Sequence, residues 1–73
     1  MTISYNKLWK LLIDKGMNKS KLRDATHMSS STMAKLSNNQ PVAMPVLGKI
    51  CAVLDCNIGD VVEFKDLETF IDE

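Results

Sequence analysis

Few side chains in this sequence can do chemistry: a single histidine, His27; two cysteines, Cys51 and Cys56; a hydroxyl run, Ser29-Ser30-Ser31-Thr32; and nine lysines and arginines. A cysteine metal site asks for a C-x-x-C pair or for histidines at a matched spacing. Cys51 and Cys56 are five apart, and His27 supplies no third ligand. Both cysteines stand among apolar residues and are expected as small buried hydrophobes, left unpaired as in a reducing cytosol. A general base needs a nucleophile in reach and a group to orient it. Nothing stands at a matching spacing from His27, which reads as a structural turn residue. Serines in a row hydrogen-bond the local backbone, so Ser29 to Thr32 mark the start of a helix rather than a nucleophile. No catalysis, cofactor, metal or small-molecule ligand is expected. A chain of 73 residues leaves no room for a cleft between two lobes.

The bases are the exception. The formal net charge is zero, but residues 1–40 carry seven bases (Lys7, Lys10, Lys15, Lys19, Lys21, Arg23, Lys35) against Asp14 and Asp24, a balance of +5. Residues 41–73 carry Lys49 and Lys65 against seven acids, a balance of −5. Such asymmetry points to a surface that meets a polyanion. The plainer alternative is solvated helix faces whose charges happen to segregate. The longest apolar run, Ile50 to Leu54, is far short of the ~20 residues that span a bilayer. No apolar stretch follows a basic start, so no signal peptide is expected and the protein is placed in the cytoplasm.

Capping and turn residues punctuate the sequence densely. An apolar fraction of 45% is enough for one small core. Ser4 can cap a first helix and Gly16 can close it, with Leu8 and Leu12 at helical spacing, which predicts a helix over 5–15. Asn18 caps a second over 19–26, carrying Leu22, and Ser29 a third over 30–37, carrying Met33 and Leu36. Asn38-Asn39-Gln40-Pro41 is a turn cluster. Pro45 suits a first helical turn, and Leu47, Ile50, Cys51 and Leu54 follow the i, i+3, i+4, i+7 pattern of a fourth helix over 45–54. Gly48 inside it costs about 1 kcal/mol relative to alanine unless something packs closely there. Asn57 and Asp60 resemble a capping box that opens a fifth over 58–63. The expected fold is all-α, five short helices, with a domain over 1–64 and an acidic tail over 65–73. Leu22, Met33, Leu36, Ile50 and Leu54 should converge on the core, Met17, Met28, Met33 and Met44 should fill its gaps, and Trp9 should pack between helices or serve a dimer contact.

Two short helices joined by the tight turn Thr26-His27-Met28-Ser29 have the spacing of a helix-turn-helix. The run from Asn18 to Leu36, NKSKLRDATHMSSSTMAKL, and the later run from Leu47 to Val61, LGKICAVLDCNIGDV, resemble the Cro/phage-repressor (XRE) class of DNA-binding domain, known for its lambda-repressor-like fold. The resemblance covers about residues 4–64. It implies sequence-specific binding of double-stranded DNA by a transcriptional regulator, with the helix over 30–37 in the major groove. It gives Ser30, Ser31 and Lys35 the base-reading positions, Lys35 toward guanine O6 and N7, and Thr32 a phosphate or mixed contact. Lys19 falls where the helix start meets backbone phosphates, and Asn38, Asn39 and Gln40 fall in the loop beside the same backbone.

Three residues depart from the family pattern. His27 stands where the turn commonly has glycine, so it is expected at positive φ, which histidine tolerates better than most. Arg23 stands for a small apolar residue and must extend outward or face DNA. The reading helix has no glutamine, asparagine or arginine among its first four residues, so shape or partner proteins are expected to add specificity. One such helix reads few bases, which implies a homodimer. In the tail, Leu67, Phe70 and Ile71 are spaced i, i+3, i+4, which suits a homodimer contact with Phe70 as its anchor, a flap that covers its own domain, or simply a frayed acidic end. The alternative function is a protein-interaction module in which the fold has lost its affinity for DNA.

Overall fold

The structure is a computed structural model that describes residues 2–67. In chain order it contains β1 (Thr2–Ser4), α1 (Asn6–Asp14), α2 (Lys19–Thr26), α3 (Ser30–Ser37), α4 (Met44–Leu54), one 3₁₀ turn (Ile58–Asp60) and β2 (Glu63–Lys65). The mainly helical class expected from the sequence holds, with four α-helices among the described residues where five were expected. The fifth is a single 3₁₀ turn. Its capping box forms, Asn57 accepting and Asp60 Oδ2 receiving the Asn57 amide at 3.1 Å, but the chain then extends instead of coiling. Glu63-Phe64-Lys65 pairs antiparallel with Thr2-Ile3-Ser4, Ile3 opposite Phe64. Two valines and a phenylalanine favour extended backbone, and a partner strand is at hand to accept it.

That pairing also moves the start of the first helix. Ser4 belongs to β1 and is buried, yet its hydroxyl still accepts from the Asn6 amide at 3.3 Å, so it serves the opening turn one residue further on. The other caps form as expected: Asn18 Oδ1 accepts from the Lys21 amide at 2.8 Å, and Ser29 Oγ from the Thr32 amide at 3.1 Å. Pro45 lies in the first turn of α4.

All four α-helices end the same way. The first or second residue after each helix end takes left-handed backbone: Gly16 at φ 68°, His27 at 58°, Asn39 at 56° and Asp55 at 52°. The next amide reaches back five residues, Met17 to Leu12 O at 2.9 Å, Met28 to Arg23 O at 3.2 Å, Gln40 to Lys35 O at 2.8 Å and Cys56 to Cys51 O at 3.1 Å. This closure satisfies carbonyls that a helix end would leave unpaired. Only one of the four positions is glycine, and His27 does hold the positive φ expected of it.

The core gathers Tyr5, Leu8 and Leu12 from the α1 region, Leu22 of α2, Leu36 of α3, Leu47, Ile50 and Leu54 of α4, and Val61. Met33 packs on its margin, as do Trp9, Met17 and Met28. Met44 does not fill the core: it opens α4 on the outer face and is 65% exposed. Cys51 and Cys56 are half-buried on the same margin, not enclosed.

Candidate nucleic-acid interface

α2 and α3 are joined by the turn through His27 and form the helix-turn-helix. Leu22 and Leu36 are fully buried and anchor the two helices to the core. Thr26 is buried at the end of α2, its hydroxyl donating to Leu22 O at 2.8 Å, so no polar atom is stranded there. The Ser29 cap sets the first turn of α3. Its Oγ also lies 3.0 Å from both Ser31 Oγ and Thr32 Oγ1, which ties three hydroxyls into one cluster. Ser30, Ser31 and Lys35 are exposed and Thr32 is half-buried. Of the sequence-predicted reading face, then, Ser30 and Lys35 are exposed and have no side-chain partner among the described residues, while Ser31 and Thr32 share the Ser29 hydroxyl.

Lys19 is held from two sides. Its Nζ stands 4.3 Å from the centre of the Trp9 ring and 3.1 Å from Ser37 Oγ. One ammonium thus joins α1, the start of α2 and the end of α3. Neither Trp9 nor Ser37 was among the site residues predicted from sequence. Trp9 and Lys19 sit on different helices with no local pattern to relate them, and Ser37 is one more serine at a helix end. A cation over an indole face is worth about 0.5–1 kcal/mol when exposed, and a lysine with three donors keeps capacity for an anion.

The loop after α3 is tied to the start of α1. Asn39 Oδ1 accepts from the Tyr5 amide at 3.3 Å, and the Tyr5 hydroxyl donates to Gln40 O at 2.8 Å. The Asn39 side chain is therefore engaged within the fold. Asn38 and Gln40 are exposed. Burial pushes the Tyr5 phenol above its ordinary value, and a backbone hydrogen bond with Val42 acts in the opposite direction. Arg23 is half-buried, with Nε 3.8 Å from the Asp24 carboxylate, so it turns outward rather than into the core.

The charge split of the sequence is only partly a split in space. Lys7, Lys10 and Lys15 line one open surface depression together with Asp14, Asp55 and Asp60, and Lys7 lies 3.9 Å from Glu63. Three amino-terminal bases are thus set among acids, several from the other half. The bases of the helix-turn-helix, Lys19, Lys21, Arg23 and Lys35, have Asp24 as the one acid on the same elements.

No helix among the described residues is long and apolar enough to cross a membrane, and none of their His, Cys, Asp and Glu side chains form a group of three that could hold a metal ion. Among curated proteins none matches the chain. Among solved structures, the crystal structure of transcriptional regulator VanUg (Form II) is similar over 85% of this chain and 83% of that one, at 53% identity and a TM-score of 0.83. The profile of the Cro/C1-type HTH DNA-binding domain matches residues 7–66, which takes in α1 from its second residue, both halves of the helix-turn-helix, α4 and β2. The chain belongs to the family of Cro/C1-type helix-turn-helix DNA-binding domains.

Proposed function

We propose that the protein is a cytoplasmic transcriptional regulator that binds duplex DNA sequence-specifically, without catalysis, by laying α3 in the major groove. The observation that carries this reading is the exposure of Ser30 and Ser31 in the first turn of α3 and of Lys35 in its last, together with a Lys19 ammonium fixed at the α1–α2–α3 junction. Lys35 reads a base edge, the hydroxyls of Ser30 and Ser31 add weak discrimination, and Thr32 makes a phosphate or mixed contact. Lys19 neutralises a phosphate at the helix start, and Asn38 and Gln40 border the backbone beside it. Asn39 acts there by shaping the loop, since its side-chain oxygen serves Tyr5.

One α3 reads too few base pairs for a useful specificity ratio, so the functional unit is a homodimer on two half-sites. Phe70 and Ile71, the apolar pair assigned to a dimer contact or a local cover, lie outside the described residues; Leu67 before them is exposed. Lys65 pairs with Thr2, so the segment to remove in testing that contact begins at Glu68.

Selection of bound sites from random duplexes, repeated across protein concentrations, tests the whole reading. A preferred sequence with two half-sites about one helical turn apart is the expected result. Absence of retention on any duplex at low salt would instead favour the protein-interaction module. Within a recovered site, Lys35→Ala should cost about 1–3 kcal/mol against the preferred sequence and less against random DNA.

A further inference from the structure

The two cysteines have a relation that their spacing in sequence does not advertise. Cys51 lies in the last turn of α4 and Cys56 lies just past its left-handed end at Asp55. The Cys56 amide donates to Cys51 O at 3.1 Å, the reach-back bond of the helix closure. In this closure the side chains of the two bonded residues meet, usually as an apolar contact. Here both of those side chains are thiols. Neither is sealed in the core: both are half-buried, and Cys56 lines the open depression with Lys15 and Asp60.

We propose that Cys51 and Cys56 are a modification site, at which a low-molecular-weight disulfide such as glutathione disulfide closes an intramolecular bond across the end of α4 without disturbing the fold. Cys56, facing the depression, attacks one sulfur of the oxidant as thiolate. The oxidant's S–S bond breaks, one glutathione thiolate leaves, and a mixed disulfide remains on Cys56. The Cys51 thiolate then attacks the Cys56 sulfur and expels the second glutathione. The chain loses two electrons and two protons, which end on two glutathione thiols. Burial, the Cys51 thiol and Asp60 push the Cys56 thiol up, and Lys15 pulls it down. The first attack is accordingly slow at neutral pH, which suits equilibration with a thiol pool rather than rapid sensing of peroxide. The bond would fasten α4 to the 3₁₀ turn, whose Val61 and Val62 amides both donate to Ile58 O and lead into β2.

The full chain is incubated with mixtures of reduced and oxidised glutathione, quenched in acid, alkylated under denaturing conditions and weighed. The expected product is monomeric, lighter by the mass of two hydrogens, closed to alkylation at both positions and restored by dithiothreitol. Its unfolding midpoint rises by about 5–10 °C, since a short loop is closed in the unfolded chain. Cys51→Ser and Cys56→Ser each retain a single glutathione adduct and lose the rise. Mixed or intermolecular disulfides alone, two thiols still open to alkylation in excess oxidised glutathione, or an oxidised chain that unfolds at a lower temperature would each overturn the proposal. None of these readouts depends on DNA.

Discussion

Tyr5 shows how far a single side chain reaches in so small a fold. It is fully buried between α1 and the loop after α3, and its hydroxyl donates to Gln40 O at 2.8 Å. Removing that hydroxyl in Tyr5→Phe should cost about 1 kcal/mol and leave a carbonyl without its partner. The same residue sets a pH dependence. Its phenol is raised from 10.0, so the folded state keeps its proton where the unfolded chain has released it. This stabilisation is complete below pH 10 and is lost as pH climbs through the folded value. Cys56, raised from 9.0, acts in the same direction. Urea midpoints followed from pH 7 to 11 should therefore fall on the alkaline side, and fall less steeply in Tyr5→Phe. A parallel decline in both proteins would remove Tyr5 from the account. None of this was legible in the sequence, where Tyr5 is one aromatic near a helix start and its partners lie more than thirty residues away.

The helices themselves were largely legible. The bounds of α2 and α3 match their capping residues, because Asn18 and Ser29 act on amides three residues away and need no tertiary context. What local pattern could not supply was the strand pair. Two strands of three residues carry too little alternation to be recognised, and each makes sense only beside a partner from the far end of the chain. A Cβ built at Gly48 meets nothing within 4 Å, so no close packing explains a glycine in α4. Gly48→Ala should stabilise by about 1 kcal/mol in thermal or denaturant unfolding. His27→Gly relieves left-handed strain at the motif's turn and should stabilise by roughly 0.5–1 kcal/mol, less whatever the freer unfolded chain takes back. If His27→Gly instead destabilises, the imidazole makes a contribution beyond the backbone.

Across the whole molecule, charge is distributed differently in space than along the chain. The sequence separates a basic half from an acidic half, but folding returns Lys7, Lys10 and Lys15 to the company of Asp14, Asp55 and Asp60. Lys19, Lys21 and Lys35 remain as the lysines of α2 and α3. The salt dependence of DNA affinity should follow that division. Lys19→Ala should flatten the log–log slope by about 0.9 for the phosphate contact removed, whereas Lys35→Ala, at a base-reading position, and Lys10→Ala should leave it nearly unchanged. Equal effects from all three would mean that a diffuse positive field, not the helix-turn-helix, draws in the polyanion. Lys19→Ala should also lower stability slightly, because it releases Trp9 and Ser37 together.

The strand pair carries a consequence for the order in which the fold assembles. Helix closures, caps and the α2–α3 turn join residues a few positions apart, whereas Thr2 meets Lys65 only after nearly the whole described chain has been gathered. Loop closure over that distance is the most costly contact to make early, so β1 and β2 should dock after the rate-limiting step. Ile3→Ala and Phe64→Ala, both at paired positions, should accordingly speed unfolding in a stopped-flow chevron and leave the refolding limb almost where it was. Leu22→Ala and Leu36→Ala, at the heart of the local helix pair, should slow refolding. The clasp would then govern how long a folded molecule lasts, and the helix-turn-helix how quickly it forms.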